Sequence, residues 1–164
     1  MSKRPSPLQR ELHQKRPFTS PHQECVVGLM RTAEVVRRAL SRTLGPHDLT
    51  LQQYNVLRIL RGAGNDGIPT LEIGVRMIEQ SPGVTRLLDR LERKGLARRA
   101  RCPHDRRRIL CWSTPAAVEL LGRLDAALSA AEQELLGELD AGALRRLIRL
   151  MDGVRAGANA ASRP

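Results

Sequence analysis

Apolar residues recur at helical spacing along most of this chain and break that rhythm in one place. From about His22 to Leu44, Val26, Leu29, Met30, Ala33, Val36, Leu40 and Leu44 fall at helical intervals, which predicts a helix that Gly45-Pro46 ends. Thr50 and Gln53 form a capping box, with Leu49 and Tyr54 placed as a hydrophobic staple; Val56, Leu57 and Leu60 follow as a buried stripe. Gly62 to Gly67 reads as a loop. Ile68-Pro69 reads as a very short strand, because proline cannot donate to a ladder. Thr70 is expected to cap a short helix that turns Ile73, Gly74, Met77 and Ile78 inward. Ser81-Pro82 carries the N-cap and first-turn proline of another. In that helix Val84, Leu87, Leu88 and Leu91 share one face, Thr85, Arg86, Asp89, Arg90 and Arg93 the other, and Gly95 is the stop.

After Gly95 the helical period is lost. Leu96 to Cys102 and Arg107 to Ser113 read as strands joined through Pro103, His104, Asp105 and Arg106. Thr114-Pro115 opens a long helix marked by Val118, Leu121, Leu124, Leu128, Ala131 and Leu135. Asp140 opens a last one with Leu144, Leu147, Ile148, Met151 and Val154. Residues 1–20 have no apolar period and are expected to form a disordered basic arm; residues 157–164 are expected to fray. The predicted fold class is mostly α with a small β-hairpin wing. A first helix occupies 21–48, a winged helix-turn-helix 49–114, and a pair of C-terminal helices 115–156.

Composition sharpens this picture. Hydrophobic residues make up 41% of the chain but aromatics only 2%, so the core must be aliphatic. The net charge of +11 is concentrated: Arg86 to Arg108 holds ten basic residues against three acidic ones, and residues 1–20 hold five against one. A solvated surface interleaves both signs, whereas concentrated cations suit a polyanionic partner. No apolar run reaches membrane-spanning length and no signal peptide is apparent, so the expectation is a soluble cytoplasmic protein without a membrane partner.

The candidate chemistry is therefore binding to double-stranded DNA. A helix fits the major groove, and Arg86 and Arg90 stand one turn apart on the polar face of the second short helix, where arginine can donate two bonds to guanine. Ser81, Gly83 and Thr85 lie at its start, where free N–H groups favour phosphate. Asp105 and Arg106 lie in the hairpin turn and Arg107 opens the strand after it, in the wing that would meet the backbone or minor groove. Cys102, His104 and Cys111 invite a zinc reading, but a fourth ligand is missing and cations surround them. A disulfide between Cys102 and Cys111 needs them nearly opposite, and the expected turn sets Cys102 against Arg107. The four histidines have neither a nucleophile partner nor metal spacing, and no Gly-rich phosphate loop is present. No enzyme, cofactor or metal reading follows.

The segments LTLQQYNVLRIL, LEIGVRM, VTRLLDRLERKGLARR and DRRRILCWST, in that order from about Leu49 to Thr114, resemble the MarR-type transcriptional regulators. Asp105 and Arg107 match the family's wing signature, while Ser113 stands in place of its Leu and Cys111 in place of its Val. The resemblance implies a homodimer joined through its first and last helices, a palindromic operator, a repressor or activator role, and release by a small-molecule effector or an oxidant. It also implies that Asp105 orients Arg107; a plain turn role for Asp105 stays open beside it. Cys25 falls where the peroxide-sensing branch keeps its reactive cysteine, and two readings stand for it, redox sensor and packed core thiol. Two other jobs remain for this fold. A nonspecific architectural DNA binder would tolerate any sequence with a steep salt dependence. A protein-interaction scaffold would lack charge at the centre of its face.

Overall fold

The structure, a computed structural model, describes residues 4–79, 83–103, 105 and 107–161. The chain divides into two compact units that meet between Leu51 and Gln52.

The first unit is helical. Helix α1 (Pro7–Glu11) is capped by Ser6, whose hydroxyl accepts from the Gln9 N–H at 3.2 Å. Helix α2 (Pro21–Leu44) is capped in the same way by Ser20, and Gln23 reaches back to accept from the Thr19 N–H at 2.8 Å. Arg31 on α2 pairs with Glu11 on α1 at 2.7 Å, and Leu8 packs against the open face left by Gly28. The segment expected to be a disordered arm thus contains a short helix. Its signal is Ser6-Pro7, the same cap and first-turn proline seen at Ser20-Pro21, but five residues are too few to show an apolar period.

The second unit contains the remaining elements: α3 (Leu51–Ala63, whose first residue belongs to the first unit), β1 (Ile68–Pro69), α4 (Thr70–Arg76), α5 (Val84–Arg93), β2 (Ala97–Arg101), β3 (Ile109–Ser113), α6 (Pro115–Leu136) and α7 (Ala141–Ala161). The strands form one antiparallel sheet in the order β1-β3-β2. Central β3 puts Cys111 level with Ile68 on one side and Arg99 on the other. The core joins α3 (Val56, Leu57, Leu60), α4 (Ile73), α5 (Leu87, Leu88, Leu91), the sheet (Ile68, Cys111) and α6 (Leu121, Leu124, Leu128). Each such leucine contributes on the order of 1.5–3 kcal/mol by leaving water. Arg61 on α3 donates to Asp125 on α6 at 2.9 Å across the rim, and this pair holds the Asp125 carboxyl below its ordinary pKa.

Several expectations shift by a residue or a face. Pro69, not Thr70, is the N-cap of α4, and the Thr70 hydroxyl instead lies 3.4 Å from the Cys111 sulfur. Helix α4 stops at Arg76 because Met77 is extended; Ile78, expected inward, is therefore 83% exposed. Helix α5 opens at Val84 with Gly83 as N-cap at φ 150°, a conformation that favours glycine. The cap and first-turn proline expected at Ser81 and Pro82 lie outside the described residues. On α6, Leu121, Leu124 and Leu128 are buried as expected, but at the start of the stripe Ala117 and Leu120 are buried and Val118 is exposed. Helix α7 continues through Ala161, past the expected fraying point at 157, from a cap in which Asp140 accepts from the Ala143 N–H at 2.7 Å.

The joint between α5 and α6 follows from local rules. Gly95 at φ 69° ends α5 in a Schellman motif: Leu96 N–H bonds Leu91 C=O at 2.9 Å and Gly95 N–H bonds Glu92 C=O at 2.8 Å. Thr114 donates to the Gly95 carbonyl at 2.7 Å and accepts from the Ala117 N–H at 3.2 Å, so one hydroxyl fastens the end of one helix to the start of the next.

On the far side of the sheet, Trp112 donates to the Asn65 carbonyl at 3.0 Å and lies against Gly67. Gly67 has φ 69° and ψ 174°, a region open essentially to glycine, and a Cβ there would meet the indole at 2.4 Å. Gly95 shares the positive φ but faces open space. Gly67→Ala should therefore destabilise the protein by about 2–4 kcal/mol and Gly95→Ala by about 1–2 kcal/mol, measured by urea unfolding. Equal losses would show that the indole contact contributes nothing.

Candidate nucleic-acid interface

Helix α5 owes its exposed face to its leucines. With Leu87, Leu88 and Leu91 turned into the core, Thr85, Arg86, Arg90 and Arg93 face solvent. Among the described residues the side chains of Arg86 and Arg90 make no hydrogen bond or ion pair, so both guanidiniums are available to an external acceptor. Gly83 puts no side chain at the N-terminus of the helix, and nothing lies within 4 Å of the position its Cβ would take.

The remaining polar residues of α5 look the other way. Asp89 and Glu92 are both bound by Arg99 of β2, whose Nη2 lies 2.5 Å from each carboxylate. The hydrogen bond to Glu92 is the main reason that the Arg99 guanidinium is held well above its ordinary pKa, and the bond to Asp89 adds to it. Arg99 is thus a strut between the wing and the helix, not a cation for a partner. Its neighbour Arg98 lies over the Trp112 ring at 4.1 Å from the centroid, in the register pair Arg98↔Trp112. The count of ten basic residues from Arg86 to Arg108 therefore overstates the cationic surface. Strand alternation carried the signal: Arg99 shares a face with Ala97, which is buried.

The wing turn is organised by Asp105. Its carboxylate accepts from the Arg107 N–H and its carbonyl from the Arg108 N–H, both at 3.0 Å, and Cys102 N–H bonds Arg108 C=O at 2.9 Å. Asp105 is exposed, and among the described residues its carboxylate meets no arginine side chain. It acts on Arg107 through the backbone, in an Asx turn. Arg107 and Arg108 project from this turn; Arg108 forms an ion pair with Glu72 of α4 at 3.5 Å. Together with Thr70, Glu72, Gly83 and Thr85, the two arginines line an open groove of about 640 Å³. The structure thus brings Gly83, Thr85 and Arg107 to one groove and leaves Arg86 and Arg90 on the solvent face of α5. Ser81 and Arg106, predicted for the same surface, lie outside the described residues.

The three cysteines differ in kind, and all are free thiols. Cys111 is fully buried, and burial pushes its pKa up, which keeps it protonated and inert. Cys102 is half-buried and level with Arg108, out of register with Cys111 as expected. Cys25 is exposed on α2, so the packed-thiol reading does not describe it within its unit. Among the described residues no group of three or more His, Cys, Asp or Glu side chains could hold a metal, and no helix is long and apolar enough to cross a membrane.

The comparisons with known proteins agree with this geometry. The family model described as the MarR family matches residues 47–108. A MarR transcription factor from Planctomyces limnophilus is 37% identical; the alignment covers 82% of this chain and 98% of that one, with a TM-score of 0.65. A mutant of Escherichia coli MarR, solved in complex with operator DNA, is 28% identical with a TM-score of 0.70, over 77% of this chain and 89% of that one. The HTH-type transcriptional regulator TtmR of Methylorubrum extorquens (strain PA1) is 38% identical over 93 residues, which is 57% of this chain and 47% of the relative, so this match spans about half of the relative's length. On these grounds the chain belongs to the MarR family of transcriptional regulators.

Proposed function

We propose that this protein is a sequence-specific DNA-binding regulator, a repressor that binds a palindromic operator as a homodimer and is released by a small-molecule or oxidant signal. The observation that carries the reading is the division of labour on α5. Among the described residues the side chains of Arg86 and Arg90 stand exposed and unpaired, while Asp89 and Glu92, which would repel phosphate, are both bound by Arg99, which offsets one of their two charges. In this reading Arg86 and Arg90 read base edges, and Ser81, Gly83 and Thr85 admit the phosphate backbone at the helix start. Arg106 and Arg107 bring the wing to the duplex, with Asp105 setting the turn.

A dimer is supported by apolar side chains left uncovered within each unit: Val26 and Met30 on α2, and Ile148, Leu150 and Val154 on α7, each more than half exposed. Two-fold symmetry would set two copies of α5 about 34–36 Å apart, one turn of DNA. An oxidant would act at Cys25, the exposed thiol, and not at buried Cys111. The protein in the E. coli complex with operator DNA supports the choice of duplex DNA as partner.

The reading is tested by titrating the protein against the duplex upstream of its own gene and a scrambled duplex, across a range of salt. Arg86→Ala should cost about 1–3 kcal/mol on the native duplex and far less on the scrambled one. Arg107→Ala should weaken binding to both and lower the salt slope by about 1. If neither change alters DNA affinity, the assignment of this surface fails. Arg99→Ala should weaken native-duplex binding without lowering the salt slope, and reduce the melting temperature by about 2–4 °C. Arg99→Lys, which keeps the charge without the planar fork, should fall between wild type and alanine.

A further inference from the structure

Glu72 is the only acidic side chain among the described residues that line the groove between α4, α5 and the wing. Its position has a local explanation, since it is the third residue of α4, where the helix dipole favours an acid. Its partners go further. One carboxylate oxygen lies 3.3 Å from Arg76 on the same helix, and the other lies 3.5 Å from Arg108, across the groove on the wing. Both ends of the cross-groove pair are about half exposed, at 47% for Glu72 and 51% for Arg108, and 3.5 Å is long for a charged hydrogen bond. Exposed pairs of this kind are weak, so this one can be exchanged for a better acceptor.

We infer that Glu72 is a built-in competitor for DNA phosphate, holding Arg108 across the groove in the free protein and surrendering it when the duplex backbone enters. The inference rests on the DNA-binding reading above and adds a residue that opposes binding. A carboxylate and a phosphate oxygen offer the same acceptor chemistry to a guanidinium. On binding, Arg108 exchanges one for the other, and Glu72, which keeps only Arg76 on its own helix, stands beside a polyanion with one oxygen vacated and takes up a cation from solution. That uptake offsets one of the counterions released from the DNA. The effect is blind to sequence, because only backbone charge is involved. Glu72 therefore lowers affinity for every duplex by a similar factor, suppressing nonspecific binding while leaving the discrimination by Arg86 and Arg90 intact.

The test is a fluorescence-anisotropy titration of the full chain, using the upstream and scrambled duplexes at several salt concentrations, for wild type, Glu72→Gln, Arg108→Ala and the double variant. Glu72→Gln keeps the size and shape of an exposed side chain, and a circular-dichroism melt checks that it folds. It should tighten binding to both duplexes by about 3–10-fold at low salt and steepen the salt slope by about 1. In the Arg108→Ala background the same change should have less than half that effect. Unchanged or weaker binding of Glu72→Gln to both duplexes, with Arg86→Ala still weakening the native one, would overturn the inference and leave the reading intact. An undiminished effect without Arg108 would also overturn it, since the acid would then act by direct repulsion. Loss of any response to both Arg86→Ala and Arg107→Ala would instead remove the reading on which it rests.

Discussion

The bond between Arg99 and the two acids of α5 is the constraint around which the candidate interface is arranged. Helix α5 is ten residues long, and its leucines alone would seat it on the core without setting how its outer face stands relative to the wing. Arg99 supplies that second reference. One guanidinium nitrogen reaches both Asp89 and Glu92 from the middle of β2, and β2 is in turn paired along its length with β3. Helix and wing therefore behave as one piece. Two carboxylates beside a phosphate site would oppose binding; the strut holds both and offsets one of their two charges.

The same logic runs through the other charged residues of this surface. Arg98 lies on Trp112, Arg99 is clamped, and Arg108 is shared with Glu72, so the basic segment is partly structural. Among the described residues Arg86, Arg90 and Arg93 on the helix and Arg101 and Arg107 on the wing are exposed and unpaired, and of these Arg86, Arg90 and Arg107 lie where a duplex would be touched in the proposed reading. Backbone geometry assists them: Gly83 clears the helix start, and Asp105 shapes the wing turn through Arg107 N–H and Arg108 N–H. Electrostatic attraction at long range needs the whole segment, but specific contact needs only the cations that the fold leaves without a partner.

Much of the architecture was legible because it depends on neighbours in sequence. Thr114-Pro115 announced α6, Asp140 announced α7, Gly95 ended α5, and the spacing of Leu87, Leu88 and Leu91 identified the buried face. The same cap signature stands at Ser6-Pro7, but a one-turn helix has no periodicity to support it. Helical spacing places Ile78 inward, yet it is exposed, because Met77 adopts an extended backbone that ends the helix early. For the candidate site, the polar face of α5 and the wing turn were visible in the pattern. The roles of Arg99, Glu72 and Arg98 were not, since their partners lie 7–36 residues away, across elements whose mutual placement no local rule specifies.

What the sequence determined by itself was the order of elements, the faces they bury and the place where positive charge accumulates. These follow from periods of two and 3.6 residues, from caps and from composition, all of which act over a few positions. Only the tertiary structure decided which of those charges remain for a partner. Whether an arginine is free depends on which carboxylate or aromatic ring the fold brings within a few ångströms of it. That distance is set by the pairing of β2 with β3 and by the seating of α4 and α5 on a shared apolar core.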